Sequence, residues 1–373
     1  MAAPYRLYGA ALSPYSMKVL HVLKYKSIPH EWIARTAARQ AEFQRFAKLP
    51  LMPVLVGADD FSQQDSTPIV ETLERRYPEP PILPDDPALA FVSALLEDYA
   101  DEWANKAMLH YRWGFAADRE SAARRLAAAM FDGDDGADRA AAEAVIGERM
   151  SQRIHLVGSS PANAAIIEQS FARLLDRLEA HLAGRPYLFG GRPAIADFAL
   201  AAQVEQLASD PTPGALVKAR APAAAAWCQR VAQASVEGPF EPLDALEPTL
   251  APLLRDEVAA CYLPWMAANA AALAAGEPVE ADLPGGAFTQ PPQKYAARSY
   301  REIRARFAAA HSDALTALMT ATGCADLLAS AQDDEGEEDG EDGGASTHDD
   351  DAPATPATEA AATAEMLDPT ADA

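Results

Sequence analysis

Ser13, Tyr15 and Ser16 are the first residues of this chain whose types and spacing could do chemistry. They follow a short apolar run, residues 5–8, and lead straight into a helical run, residues 17–25. Ser13 stands where a helix N-cap belongs and Pro14 where the first helical residue belongs. The first turn of such a helix offers unpaired N–H groups and a positive dipole end. An anion placed there, a thiolate for instance, is stabilised before any catalytic side chain acts. A second feature is Met52-Pro53 at the head of the apolar run that continues Val54-Leu55-Val56. Proline cannot donate to a sheet ladder. A cis Met52–Pro53 bond accounts for it and leaves the Met52 backbone free to pair with a peptide-like ligand. A third is Asp65-Ser66, which with Thr67-Pro68 opens another helix.

These groups need elements to hold them. Residues 5–8 read as a strand and 17–25 as a helix with Val19, Leu20, Val22 and Leu23 on one face, stopped at Ile28-Pro29. Residues 30–33 read as a strand, 37–47 as a helix, 51–56 and 61–63 as strands around a turn at 57–60, and 69–77 as a helix stopped by Pro78. The order is βαβαββα.

That layout resembles the thioredoxin-like N-terminal domain of the glutathione transferase superfamily. The pieces that match are Ser13-Pro14-Tyr15-Ser16, Met52-Pro53-Val54-Leu55 and Asp65-Ser66. The resemblance implies a cis Pro53, a Met52 backbone that pairs with the cysteinyl part of glutathione, an Asp65-Ser66 pair that holds its γ-glutamyl end, and a Ser13 that hydrogen-bonds its sulfur. The chemistry is consistent with this. Asp65 can accept from an α-ammonium, and Ser66 with the helix N–H groups can hold an α-carboxylate. A hydroxyl donated to sulfur favours thiolate over thiol, the nucleophile of conjugation. Tyr15 or Tyr5 could supply that hydroxyl instead, and Lys48 or Arg45 could meet the glycine carboxylate. Each motif also has a purely structural use: Ser13 and Asp65-Ser66 as caps, Met52-Pro53 as a fold feature. With no cysteine in the first-helix turn, disulfide exchange is disfavoured.

After a proline-rich linker, residues 80–87, the chain reads as almost all helix. Over residues 88–115, Tyr99, Trp103, Lys106, His110 and Trp113 recur at three to four residues and share a face. The resemblance makes this face, with Tyr15, the pocket for a second, apolar substrate. The alternative is core or dimer contact, and His110 reads as a packed histidine. Residues 118–160 look like an insertion, and 164–182 a long helix. Asp197 matches the family's capping aspartate, with Ala194 where a Ser or Thr usually stands. Residues 222–233 read as a helix with Trp227 on its apolar side. There the resemblance stops. Residues 236–330 form a further helical extension, with helices at 253–273 and 293–329 and a Pro/Gly loop at 276–292. The cluster Lys294, Arg298, Arg301, Arg304 and Arg306 suits salt bridges across an acidic body, or an anion site near the pocket.

The expected organisation is therefore a thioredoxin-like α+β domain at 1–79, a linker at 80–87, an all-α domain at 88–235, the extension at 236–330 and a disordered acidic tail at 331–373. That tail carries 15 of the Asp/Glu residues and no Lys/Arg, leaving −9 of the net −24 for the rest. Such a balance argues against nucleic acid as partner. No run of uncharged apolar residues suggests a membrane span, and three scattered cysteines suit a reducing cytoplasm. No bound cofactor or metal is expected; glutathione enters as co-substrate with a small apolar electrophile. A homodimer is expected from the resemblance alone. The competing expectation is a non-catalytic interaction protein that keeps the fold.

Overall fold

Strand β1 (Tyr5–Gly9) lies inside a four-stranded sheet ordered β2-β1-β3-β4, in a computed structural model that describes residues 4–329. It pairs in parallel with β2 (His30–Ala34) and antiparallel with β3 (Val54–Val56), which pairs antiparallel with β4 (Ser62–Gln64). The parallel pair needs a crossover, supplied by helix α1 (Pro14–Tyr25). Alternation along the strands divides the core in two. Leu7 and Leu55 face α1 and the helical domain, while Tyr8, Val54 and Val56 face Phe43 and Phe46. Phe43 belongs to α2 (Gln40–Gln44), which with the preceding turn Ala37–Arg39 is all that forms of the helix expected at 37–47. Helix α3 (Ser66–Arg76) closes the first domain against α1. The Met52–Pro53 bond is cis, and so is Glu79–Pro80.

Helices α4 (Pro87–Tyr99) and α5 (Asn105–Gly114) form one run joined by a wide turn at Ala100–Ala104. Helices α6 (Ala116–Met130) and α7 (Arg139–Arg153) pack on each other, and α8 (Ala164–Leu182) follows. Helix α9 (Ile195–Ala208) is apolar all round, which makes it the central helix. It is ringed by α1, α4, α10 (Pro211–Arg220) and α11 (Pro222–Val231). Asp197 Oδ2 accepts from Ala194 N–H at 2.9 Å, while its Oδ1 accepts from Leu188 N–H and Trp227 Nε1 at 2.8 Å each. Alanine has no side-chain acceptor to return; the Asp197 N–H instead donates to the Ala194 carbonyl at 3.0 Å. The missing half of the cap is thus made by backbone.

The extension is folded onto the rest. Helices α12 (Leu243–Leu253) and α13 (Leu263–Ala275) are continuous through a widened stretch, Leu254–Tyr262. By length and composition this run, Leu243–Ala275, could cross a membrane, with mean hydropathy 1.4 over its window. In the fold its Leu250, Val258, Tyr262 and Trp265 are buried in the core, and Glu257 at its middle pairs with Arg173 at 2.8 Å. The stretch expected as a Pro/Gly loop contains a hairpin, β5 (Val279–Leu283) and β6 (Gly286–Gln290). The buried-exposed alternation of Val279, Glu280, Ala281, Asp282 and Leu283 before Pro284-Gly285 was the signal for it. Helices α14 (Lys294–Ala309), α15 (Asp313–Thr322) and α16 (Ala325–Ala329) complete the described chain. The tail expected at 331–373 lies outside the described residues.

Candidate functional site

Three turns meet at one end of the sheet because of strand register. Tyr8 of β1 pairs with Val54, and Val54 with Gln64. The residues leaving β1, entering β3 and leaving β4 therefore sit together: Ser13, Met52–Pro53 and Asp65-Ser66. Tyr5 lies at the other end of β1, where its hydroxyl accepts from Arg76 at 2.8 Å. That placement removes Tyr5 as a candidate sulfur donor.

Ser13 is the N-cap of α1, with extended backbone and Pro14 after it. Its Oγ accepts from Ser16 N–H at 3.2 Å. That bond uses an oxygen lone pair and leaves the O–H to donate elsewhere. Ser13 is 1% exposed, so its hydroxyl is closed off in this conformation. Tyr15 donates to the Asp101 carbonyl at 3.0 Å and accepts from Asn105 Nδ2 at 3.1 Å. Burial pushes its phenol well above the ordinary range, so it remains a neutral hydroxyl. Lys48 and Arg45 are both exposed.

Asp65 holds φ +77° and ψ 131°, a sparsely populated region that costs a non-glycine residue on the order of 1–3 kcal/mol. Its Oδ2 accepts from the hydroxyl of Tyr295, in the extension, at 2.8 Å. Burial raises its carboxyl, while the Tyr295 hydrogen bond and the Lys18 charge pull it back down. Ser66 is buried, and its Oγ lies 3.5 Å from Lys18 Nζ. Lys18 itself is fully buried and ion-paired with Glu97 and with Asp101, the latter at 2.7 Å. Burial opposes its charge, but the two carboxylates outweigh it and hold the ammonium above its ordinary pKa. Lys18, Glu97, Asp101 and Tyr295 were not singled out from sequence. A lysine inside the apolar run of α1 was a readable signal for Lys18; a contact from residue 295 to residue 65 left none.

The face expected to be either second-substrate pocket or core contact lies inside the fold. Tyr99, Trp103, Lys106 and His110 are buried, and the first three line a cavity of only about 10 Å³. Trp103 packs on Trp265 and Phe288 of the extension, with ring centroids 5.8 and 5.6 Å apart. Lys106 Nζ sits 3.8 Å from the centroid of the Trp265 ring and 3.0 Å from Gln290 Oε1. Trp103 Nε1 donates to Ser170 at 2.9 Å, and Ser170 and Tyr99 both donate to Glu257. Burial pushes the Glu257 carboxyl up to about 7. His110 is packed, with Ser159 at 2.8 Å and Glu168 at 3.2 Å, and burial lowers its pKa. The aromatic stripe is thus an internal seam between the helical domain and the extension.

The extension also borders the first domain. There Arg306 pairs with Glu71 of α3 at 2.6 Å, while on α4 of the helical domain Ser299 donates to Asp98 and Phe307 lies 5.3 Å from Phe91. Of the basic cluster, Arg306 makes the expected salt bridge. Arg298 instead borders a cavity of about 210 Å³ whose wall includes Asp65, Asp98, Asp101, Glu102 and Tyr295. The three cysteines are free and buried, and burial raises all three thiols, Cys261 to about 12 and Cys324 to about 11.

Residues 7–81 match the family model of the glutathione S-transferase N-terminal domain, and residues 121–230 that of the C-terminal domain. A glutathione S-transferase of Triticum aestivum is 32% identical over 80 residues, 21% of this chain and 37% of that one. Glutathione S-transferase omega-1 of Mus musculus is 36% identical over 84 residues, 22% of this chain and 35% of that one. The chain thus spans about a third of the length of the curated relatives it matches. Among solved structures, a Tau class glutathione S-transferase from mango, Mangifera indica, is 18% identical, covering 66% of this chain and 96% of that one with TM-score 0.42. The β-etherase LigF of Sphingobium sp. strain SYK-6 is 20% identical, covering 63% and 97%, with TM-score 0.47. With both domain models matched in order on a thioredoxin-like sheet and a helical domain, the chain belongs to the glutathione transferase superfamily.

Proposed function

We propose that this protein binds glutathione at the end of its sheet, stabilises the thiolate, and adds the sulfur to an apolar electrophile. The observation that carries this is the convergence of Ser13, the cis Met52–Pro53 bond and Asp65-Ser66 through one strand register. Asp65 offers a carboxylate to the ligand's ammonium, and the start of α3 offers N–H groups to its carboxylate. The first turn of α1 and the Ser13 hydroxyl favour a thiolate once the β1–α1 turn admits the sulfur. Retention on immobilised glutathione that is lost in Ser66→Ala supports the binding step. Turnover of a generic aryl electrophile that disappears in Ser13→Ala supports the chemical step. Absence of any glutathione binding at millimolar concentration overturns both.

A second reading is binding without conjugation. The observation in its favour is the filling of the Tyr99–Trp103–Lys106 face by Trp265 and Phe288. An electrophile then has no apolar wall on that side. Glutathione binding with no turnover across a panel of aryl, alkyl and epoxide electrophiles selects this reading.

A further inference from the structure

We propose that Tyr295, carried by the C-terminal extension, is a positioning residue of the thiol-peptide site: it fixes the Asp65 carboxylate for a free α-ammonium. This rests on the glutathione reading above and names the group that the corner selects.

Geometry comes first. Tyr295 lies at the start of α14, and its hydroxyl donates to Asp65 Oδ2 at 2.8 Å. Asp65 hangs on a turn with φ +77°, a strained backbone that its surroundings must hold in place. An aspartate at the start of a helix ordinarily turns onto the helix N–H groups. Here Asp65 makes no full cap bond; the Thr67 N–H lies close enough to favour its carboxylate, and its side-chain hydrogen bond goes to Tyr295. Helix α14 is itself anchored on the neighbouring walls, by Arg306 on Glu71, Ser299 on Asp98 and Phe307 against Phe91. Tyr295 is thus a fixed donor.

Tyr295 leaves the corner open. The hydrogen bond takes one of the two carboxylate oxygens. Beside the pair lies the cavity of about 210 Å³, bordered by both residues, which is ample for an ammonium group. Glu71, Asp98 and Asp101 on the same wall add negative potential, offset in part by Arg298 and Arg306. A cation is favoured there, and a neutral or acylated amine forfeits the interaction. The tyrosine hydroxyl stays protonated, because burial and the surrounding carboxylates push its titration far above the ordinary phenol range. It also stabilises the ionised form of Asp65, the form that an ammonium needs.

The test is calorimetric titration of the full chain with glutathione and with glutaryl-cysteinyl-glycine, which lacks only the α-amino group. The wild type is expected to prefer glutathione by roughly tenfold or more, as a charge-assisted hydrogen bond implies. Tyr295→Phe keeps the ring and removes the hydroxyl; it is expected to lose roughly five- to twentyfold in glutathione affinity and nothing toward the glutaryl peptide. Asp65→Asn should show the same selective loss. Equal loss toward both ligands in Tyr295→Phe makes the residue merely structural and overturns the proposal. Unchanged or tighter glutathione binding in that variant overturns it too, tighter binding marking the hydroxyl as a competitor. Failure of the wild type to bind either peptide is a different result: it overturns the glutathione reading itself, and Tyr295's role with it.

Discussion

Lys18 and Asp101 meet at 2.7 Å beneath Ser66, in a fully buried pair that ties α1 to the turn between α4 and α5. Glu97 completes the cluster. Lys18→Met leaves two buried carboxylates without their cation, and breaking such a pair costs about 3–5 kcal/mol. Urea denaturation should show that loss. The double variant Lys18→Met/Asp101→Asn should recover part of it, because one of the stranded charges is gone. Equal stability of the two variants would show that Asp101 is protonated once Lys18 is gone.

Trp265 is the extension's main side chain on the aromatic seam. It is fully buried between Trp103 and the Lys106 ammonium. Trp265→Ala is expected to cost about 3–5 kcal/mol by lost burial and the cavity left behind. Guanidinium denaturation followed by tryptophan fluorescence reads it directly. A change under 1 kcal/mol would mean that the extension contributes little to the stability of the helical domain.

His181 gives stability a pH dependence of defined sign. It is buried, with Thr249 Oγ1 at 2.8 Å from Nδ1 and the Leu188 carbonyl at 2.8 Å from Nε2. Burial lowers its pKa from 6.5 to about 4. Below pH 6.5 the unfolded chain takes up a proton that the native site refuses, so this contribution falls as pH drops toward 4. His181→Gln removes the titration. The stability gap between wild type and variant should therefore shrink by about 2 kcal/mol between pH 7 and pH 4.5. A gap that stays constant with pH would exclude a neutral native histidine.

Gly158 and Gly133 separate backbone strain from crowding. Both have positive φ, +85° and +78°. A Cβ at Gly133 meets nothing within 4 Å, whereas one at Gly158 comes within 2.5 Å of Gln290 Oε1 and 2.6 Å of the Phe288 ring. Gly133→Ala should cost about 1 kcal/mol from strain alone. Gly158→Ala should cost at least about 1 kcal/mol more, because it pushes β6 off the helical domain. Paired thermal melts are enough to compare them.

The first domain was legible because its signals are local. The strand-turn-helix punctuation, the cap at Ser13-Pro14 and the proline before β3 each reside in a few consecutive residues. Register then brings them together without further information. The helix expected at 37–47 overshot because Phe43 and Phe46 sit one turn apart against Tyr8 and need only a short turn to do so. The role of the Tyr99–Trp103–Lys106 face stayed open for a different reason. The three- to four-residue spacing of Tyr99, Trp103 and Lys106 shows that they share a face, but not what covers it. The cover is Trp265, Phe288 and Gln290, more than 150 residues later. Nothing in the spacing of one helix encodes a partner at that range. The same holds for Tyr295 and Asp65.

That last separation, 230 residues between the two ends of one hydrogen bond, has a consequence for biosynthesis. A ribosome delivers the sheet and its three turns early, and they can assemble as soon as α3 emerges. The Asp65 corner then waits until nearly all of the described chain has been made. The nascent protein passes through a long interval in which the sheet end is formed but its acidic corner is open to solvent. On the glutathione reading, a chain ended before residue 295 would carry the three turns without the hydrogen bond that fixes Asp65.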